Sequence, residues 1–147
     1  MDQNDLKTIR ELTVTMHDSA LGYAAASRRA MDPELKEYLM EASVARAGEA
    51  LQLVGELRRN AVPVPVGGTV LGAAHRTWMA FRDQLFGMDG AGMLAECGRG
   101  DSHLIGRYDD ALGHLQSSVE LRESLQQQRE AVMSSYHSIQ SMEVPLA

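Results

Sequence analysis

Apolar and small side chains recur at intervals of three and four residues along most of this chain, the spacing that aligns them on one face of a helix. A first helix is predicted over about 4–29, with Leu6, Ile9, Thr13, Met16, Ala20, Tyr23 and Ser27 on its seam. Asp32-Pro33 opens a second over about 33–60. Asp is a good N-cap acceptor, and Pro at the first helical position gives up only an amide that has no intrahelical partner. Its seam holds Leu35, Leu39, Ala42, Arg46, Glu49, Leu53 and Leu57. A shorter helix is predicted over 69–86, capped by Thr69 and stopped at Gly87. Asp89 caps the next, over 90–115, with Leu94, Cys97, Asp101, Leu104, Tyr108, Ala111 and Leu115 facing inward. Ser117 and Glu120 have the form of a capping box. The last helix runs over 118–142 through Leu121, Leu125, Gln128 or Arg129, Val132, Tyr136 and Ile139. No stretch alternates with period two, so strands are not expected.

Connection lengths constrain the architecture. The first and second long helices turn within a few residues, as do the third and fourth, so each pair forms an antiparallel hairpin. The second and third long helices are separated by roughly 28 residues, including the short helix. That length suits two parallel helices joined by a crossover along the bundle, the ferritin-like variant of a four-helix fold. The expectation is therefore one all-α domain over residues 1–147, a ferritin-like four-helix bundle whose crossover contains a short fifth helix.

Its central layer is not apolar. Equal heights in the first hairpin set Met16 opposite Arg46 and Thr13 opposite Glu49. In the second they set Asp101 near Ala131 and Leu104 near Gln128. Arg46, Glu49, Asp101 and Arg129 are thus expected to converge on one region as a buried polar layer. Buried charges persist when paired or bound to metal, because desolvation costs roughly several kcal/mol per ion. The leading reading is an ion-pair layer. The rival is a carboxylate metal site built from His17, Glu49 and Asp101. Di-iron bundles of this architecture use Glu-x-x-His pairs, since a spacing of three puts both ligands on one face. None of the 20 acidic residues here has a His three positions later. No cofactor is expected, with iron as the alternative.

Composition narrows the function classes. The formal charge of −6 argues against binding nucleic acid or anionic lipid. One cysteine, Cys97, cannot build an internal disulfide or a multi-cysteine zinc site, and its seam position reads as a small apolar filler. No run approaches the ~20 apolar residues of a membrane span, and the acidic start does not resemble a secretory leader. A cytoplasmic location is expected. Gly90-Ala91-Gly92 follows no strand and makes a poor dinucleotide loop. Among the histidines, His17, His103, His114 and His137 fall beside the seams. His75 in His75-Arg76-Thr77-Trp78 is expected, with Trp78, to dock the crossover helix on the bundle.

Four segments carry a family resemblance: Asp18-Ser19-Ala20-Leu21-Gly22-Tyr23, Asp32-Pro33-Glu34-Leu35-Lys36, His75-Arg76-x-Trp78 and Glu96-Cys97-Gly98-Arg99-Gly100-Asp101. Together they resemble a bacterial family of ferritin-like four-helix bundles, a domain of unknown function, over nearly the whole chain. The resemblance implies the fold and no particular activity. The chain departs from the pattern at Leu21 and Gly98, where the family would place carboxylates, which weakens the metal reading. The expected function is a non-catalytic bundle that self-associates, as a dimer, in a regulatory or stress-related role. The alternatives are a degenerate iron protein with oxidase or storage activity, and a module binding a partner helix or apolar ligand near Trp78 and the nine methionines.

Overall fold

The computed structural model describes residues 3–59, 88–115 and 119–142. Four helices make up this part: α1 (Gln3–Arg29), α2 (Pro33–Arg59), α3 (Gly90–His114) and α4 (Val119–Ser141). There is no strand among the described residues. The bounds fall within a residue or so of those predicted from sequence. The short helix expected over 69–86, with His75 and Trp78, lies outside the described residues, as does Ser117 of the capping box. No described helix is long and apolar enough to cross a membrane.

The helix ends form where side chains can supply missing partners. Asp32 Oδ2 accepts the Leu35 amide at 3.0 Å at the start of α2. Asp89 Oδ1 accepts the Gly92 amide at 2.7 Å at the start of α3. Each carboxylate also meets the positive end of its helix dipole. At the far end of α3 the carbonyls of Leu112 and Leu115 accept hydrogen bonds from the Arg122 guanidinium, which ties the α3–α4 hairpin across its turn. Arg28 and Arg29 in the last turn of α1, and Arg58 and Arg59 in that of α2, complement the negative ends.

Side-chain bonds give the directions of packing. Ser43 Oγ donates to the Ala20 carbonyl at 2.8 Å and Ser27 Oγ to that of Lys36 at 2.9 Å, so α1 and α2 are antiparallel. Tyr23 meets Asp101, and Met16 meets Tyr108; as numbers rise on α1 they fall on α3. Tyr38 meets Ser135, and Gln52 meets Gln128, so α2 and α4 are antiparallel too. Helices α2 and α3 therefore point the same way, with the end of one and the start of the other at opposite ends of the bundle.

The core falls into two apolar clusters along this axis. One, built around Ile9, Leu12, Leu53, Leu57, Leu104, Leu115 and Leu121, fills the end where α1 begins. The other, with Ala25, Ala26, Leu35, Leu39, Met93, Cys97 and Ile139, fills the opposite end. The predicted seams of α2 and α3 are buried, Glu49 being half-buried. Leu12, Ala25 and Ala26 are buried outside the predicted seam of α1, because that helix packs against both α2 and α3 and its inward face is wider than one stripe.

Candidate functional site

Between the apolar clusters lies a polar layer to which all four helices contribute. At its centre Arg46 is 1% exposed and Asp101 is fully buried. Arg46 Nη1 donates to both carboxylate oxygens of Glu49, each at 3.2 Å. The spacing of three puts the two residues on one face of α2. Arg46 Nη2 faces Asp101 Oδ1 at 3.8 Å, an ion pair too long to be a hydrogen bond. The other Asp101 oxygen accepts the Tyr23 hydroxyl at 2.7 Å. The guanidinium carbon also stands 5.9 Å from the centroid of the Tyr23 ring, within cation–π range.

Asp101 stands opposite Tyr23, and Tyr23 lies beyond Ala20 and its partner Ser43, so the carboxylate sits toward the N-terminal half of α2 from Arg46. The guanidinium reaches it because long helical side chains lean toward the N-terminus of their own helix. Two tyrosines extend the layer to α4. The Tyr108 hydroxyl lies 2.9 Å from Gln128 Oε1 and 3.0 Å from Met16 Sδ. Gln128 Nε2 in turn donates to Gln52 Oε1 at 2.6 Å and lies 3.4 Å from the Glu49 carbonyl oxygen. On the Asp101 side, the Tyr38 hydroxyl donates to the Ser135 carbonyl at 3.1 Å.

One cation and two carboxylates leave the layer with an excess of negative charge in a poorly solvated place. Burial raises the pKa of Asp101, and the Arg46 charge, then the Tyr23 hydroxyl, only partly oppose it. Glu49 is raised for the same first reason, again against Arg46. Burial also raises the phenols of Tyr23 and Tyr108, with the neighbouring carboxylates adding to it. These hydroxyls stay protonated and serve as donors. The Cys97 thiol, one turn before Asp101, is pushed up to about 12 by burial and then by the Asp101 charge, which removes thiolate reactivity at neutral pH.

The structure brings Arg46, Glu49 and Asp101 together but not Arg129. Arg129 Nε pairs with Asp109 at 2.7 Å on the rim. The predicted α3–α4 register is off by about one turn: Tyr108, not Leu104, meets Gln128, and Gly98 faces Ile139 and Gln140. Gln128 takes the inward position, and its neighbour turns outward. His17 is exposed on α1 and takes no part in the layer. His103, His114 and His137 are exposed as well. Tyr23, Tyr108, Gln128 and Ser135 belong to the layer, though sequence analysis did not single them out as site residues.

As a metal centre this donor set fits poorly. Both Glu49 oxygens already face Arg46, one Asp101 oxygen is held by Tyr23, and the guanidinium stands between the two carboxylates. Among the described residues no three His, Cys, Asp or Glu side chains are grouped so as to hold a metal ion.

Asp18 is a separate feature of α1. It is half-buried, its Oδ1 has no hydrogen-bond partner among the described residues, and burial raises its pKa to about 6.

Compared with known proteins, residues 4–114 match the model of a family described as Domain of unknown function (DUF2383). No curated protein matches the chain.

Two outcomes follow from these environments. Tyr23→Phe leaves Asp101 Oδ2 without its donor, and urea unfolding should show a loss of about 1–3 kcal/mol. For Asp18, the folded carboxyl holds its proton to higher pH than the unfolded one. Its contribution to stability is therefore complete below about pH 4 and is lost as the pH rises through about 6. Urea midpoints measured from pH 4 to 7 should fall more steeply for the native protein than for Asp18→Asn.

Proposed function

The chain belongs to this family of unknown function, and from that premise we propose that it is a ferritin-like helical bundle in which a buried arginine replaces the metal. The protein acts by assembly and binding, not by turnover. The observation that carries this reading is the position of Arg46, whose guanidinium takes both oxygens of Glu49 and faces Asp101 in the middle of the bundle. A guanidinium supplies the positive charge that mid-bundle carboxylates require, and it does so permanently, because it does not deprotonate in proteins. The parallel course of α2 and α3 supports the ferritin-like assignment, since it requires one long crossover connection.

Self-association belongs to the same reading. Val44 and Leu51 on α2 are 66% and 70% exposed. Exposed apolar side chains grouped on one face of a helix are a common mark of an interaction surface.

The test is iron content by mass spectrometry, on protein purified without an affinity metal and exposed to Fe(II) anaerobically, then to air. The expected result is far below one iron per chain, with Glu49→Ala changing stability instead: about 3–5 kcal/mol is lost because the buried guanidinium loses its hydrogen-bonded carboxylate and keeps only Asp101, 3.8 Å away. About one or two irons per chain, lost in both Glu49→Ala and Asp101→Ala, would establish a carboxylate metal site.

A further inference from the structure

The outward face of α2 carries a pattern that nothing among the described residues explains. Met40, Val44 and Leu51 are all exposed there, with Ala47, Gly48 and Gly55 on the same side. Positions 37, 40, 44, 47, 48, 51, 55 and 58 lie along one side of the helix, spaced by three, four and three residues on either side of the central pair 47 and 48, a seam of the kind that packs one helix against another. They point away from the core-facing residues Leu39, Arg46, Ala50 and Leu57.

Gly48 lies in the middle of this seam, and a Cβ added to it would meet nothing within 4 Å among the described residues. Its cost in a helix, about 1 kcal/mol relative to Ala, is therefore not explained by packing among the described residues. Glycines in equally open positions occur on α3 at Gly100, Gly106 and Gly113. There the exposed neighbours are Ser102, His103, Asp109 and Asp110, with no large apolar side chain among them. On α2 the glycine and the apolar stripe coincide.

The order of residues along the seam identifies the occupant. Resting on the reading that the protein self-associates, we propose that this face of α2 is the interface of an antiparallel, two-fold symmetric dimer with a second copy of the chain. With the axis beside Ala47 and Gly48, the seam maps onto itself. Ala47 then faces Gly48 of the second copy, where small residues let the helices approach closely. Val44 faces Leu51, Met40 faces Gly55, and at each end Glu37 faces Arg58. A two-fold interface must be self-complementary, so that if one residue contacts another, the reverse contact is also made. This stripe meets that condition in both size and charge. The first half of α2 carries Glu34, Glu37 and Glu41 against one base, Lys36, and its seam ends in Arg58, so a parallel pairing would set Glu37 against Glu37 and Arg58 against Arg58. Antiparallel pairing sets them opposite and also opposes the helix dipoles.

The experiment is sedimentation velocity of the full chain over a range of concentrations, with Val44→Glu, Leu51→Lys and the double variant. Both sites are exposed, so neither change disturbs the core. The native chain should be dimeric, and each single variant should weaken the dimer by about tenfold or more. The double variant should recover it, because Glu at 44 then faces Lys at 51 of the other copy. Within one chain these positions are two turns apart and cannot pair. A native dimer that both single variants leave intact would overturn this interface while leaving self-association standing. Single variants that dissociate without recovery in the double would overturn the antiparallel register. A native chain that stays monomeric at high concentration would overturn both this proposal and the self-association on which it rests.

Discussion

A guanidinium in the middle of a helical bundle dictates much of what surrounds it. Arg46 is almost wholly inaccessible, and removing such a charge from water costs roughly several kcal/mol even after relaxation. Two carboxylates offset that cost. Glu49 comes from the same helix face and Asp101 from across the bundle, and Tyr23, Tyr108, Gln128 and Gln52 add hydrogen bonds around them, although Arg46 Nε and Nη2 and Asp101 Oδ1 have no hydrogen-bond partner among the described residues. The apolar residues divide around it into an upper and a lower core. A layer of this kind is weak evidence for stability, but it penalises misplacement: sliding α3 by a turn along α1 would strand Asp101 and Arg46 together.

The same arrangement is what makes the layer a poor fit to a metal ion. A metal centre needs carboxylate lone pairs aimed at an empty point; here both Glu49 oxygens are aimed at the Arg46 cation and Asp101 Oδ2 at the Tyr23 hydroxyl, while Asp101 Oδ1 faces the guanidinium at 3.8 Å without a hydrogen bond. What the layer contributes is the choice of which helix faces which. The layer sits where the α1–α3 and α2–α4 contacts meet. The surface and the layer are linked in that sense: inward charge sets the orientation of α2, and orientation presents Val44 and Leu51 to solvent.

Much of this was legible in the order of residues. Asp32-Pro33 and Asp89 mark helix starts because capping is local chemistry, settled within three residues. The placement of Arg46, Glu49 and Asp101 in one layer followed from seam position and hairpin height, since assigning residues to a shared layer tolerates an error of about a turn. Arg129 shows where that tolerance ends. Its assignment depended on the α3–α4 register and on whether Gln128 or Arg129 turns inward, and a shift of one turn with the choice of Gln128 moves it to Asp109 on the rim. Tyr23 lay on the predicted seam, yet its role depends on a hydroxyl meeting a carboxylate 78 residues away. No local pattern encodes such a contact. Gly48 is a further case, because its meaning lies in the absence of neighbours among the described residues.

The central claim is that Arg46 and Asp101 interact across the bundle as a buried pair, and a double-mutant cycle on Arg46→Met and Asp101→Asn measures it most directly. Urea unfolding of the native chain, the two single variants and the double variant gives a coupling free energy free of the cavity and polarity terms that each change carries alone. The account predicts coupling of about 1–3 kcal/mol, with the double variant clearly more stable than the sum of the single losses implies. Additive losses, with coupling indistinguishable from zero, would mean that the two charges do not hold each other and would contradict the account at its base.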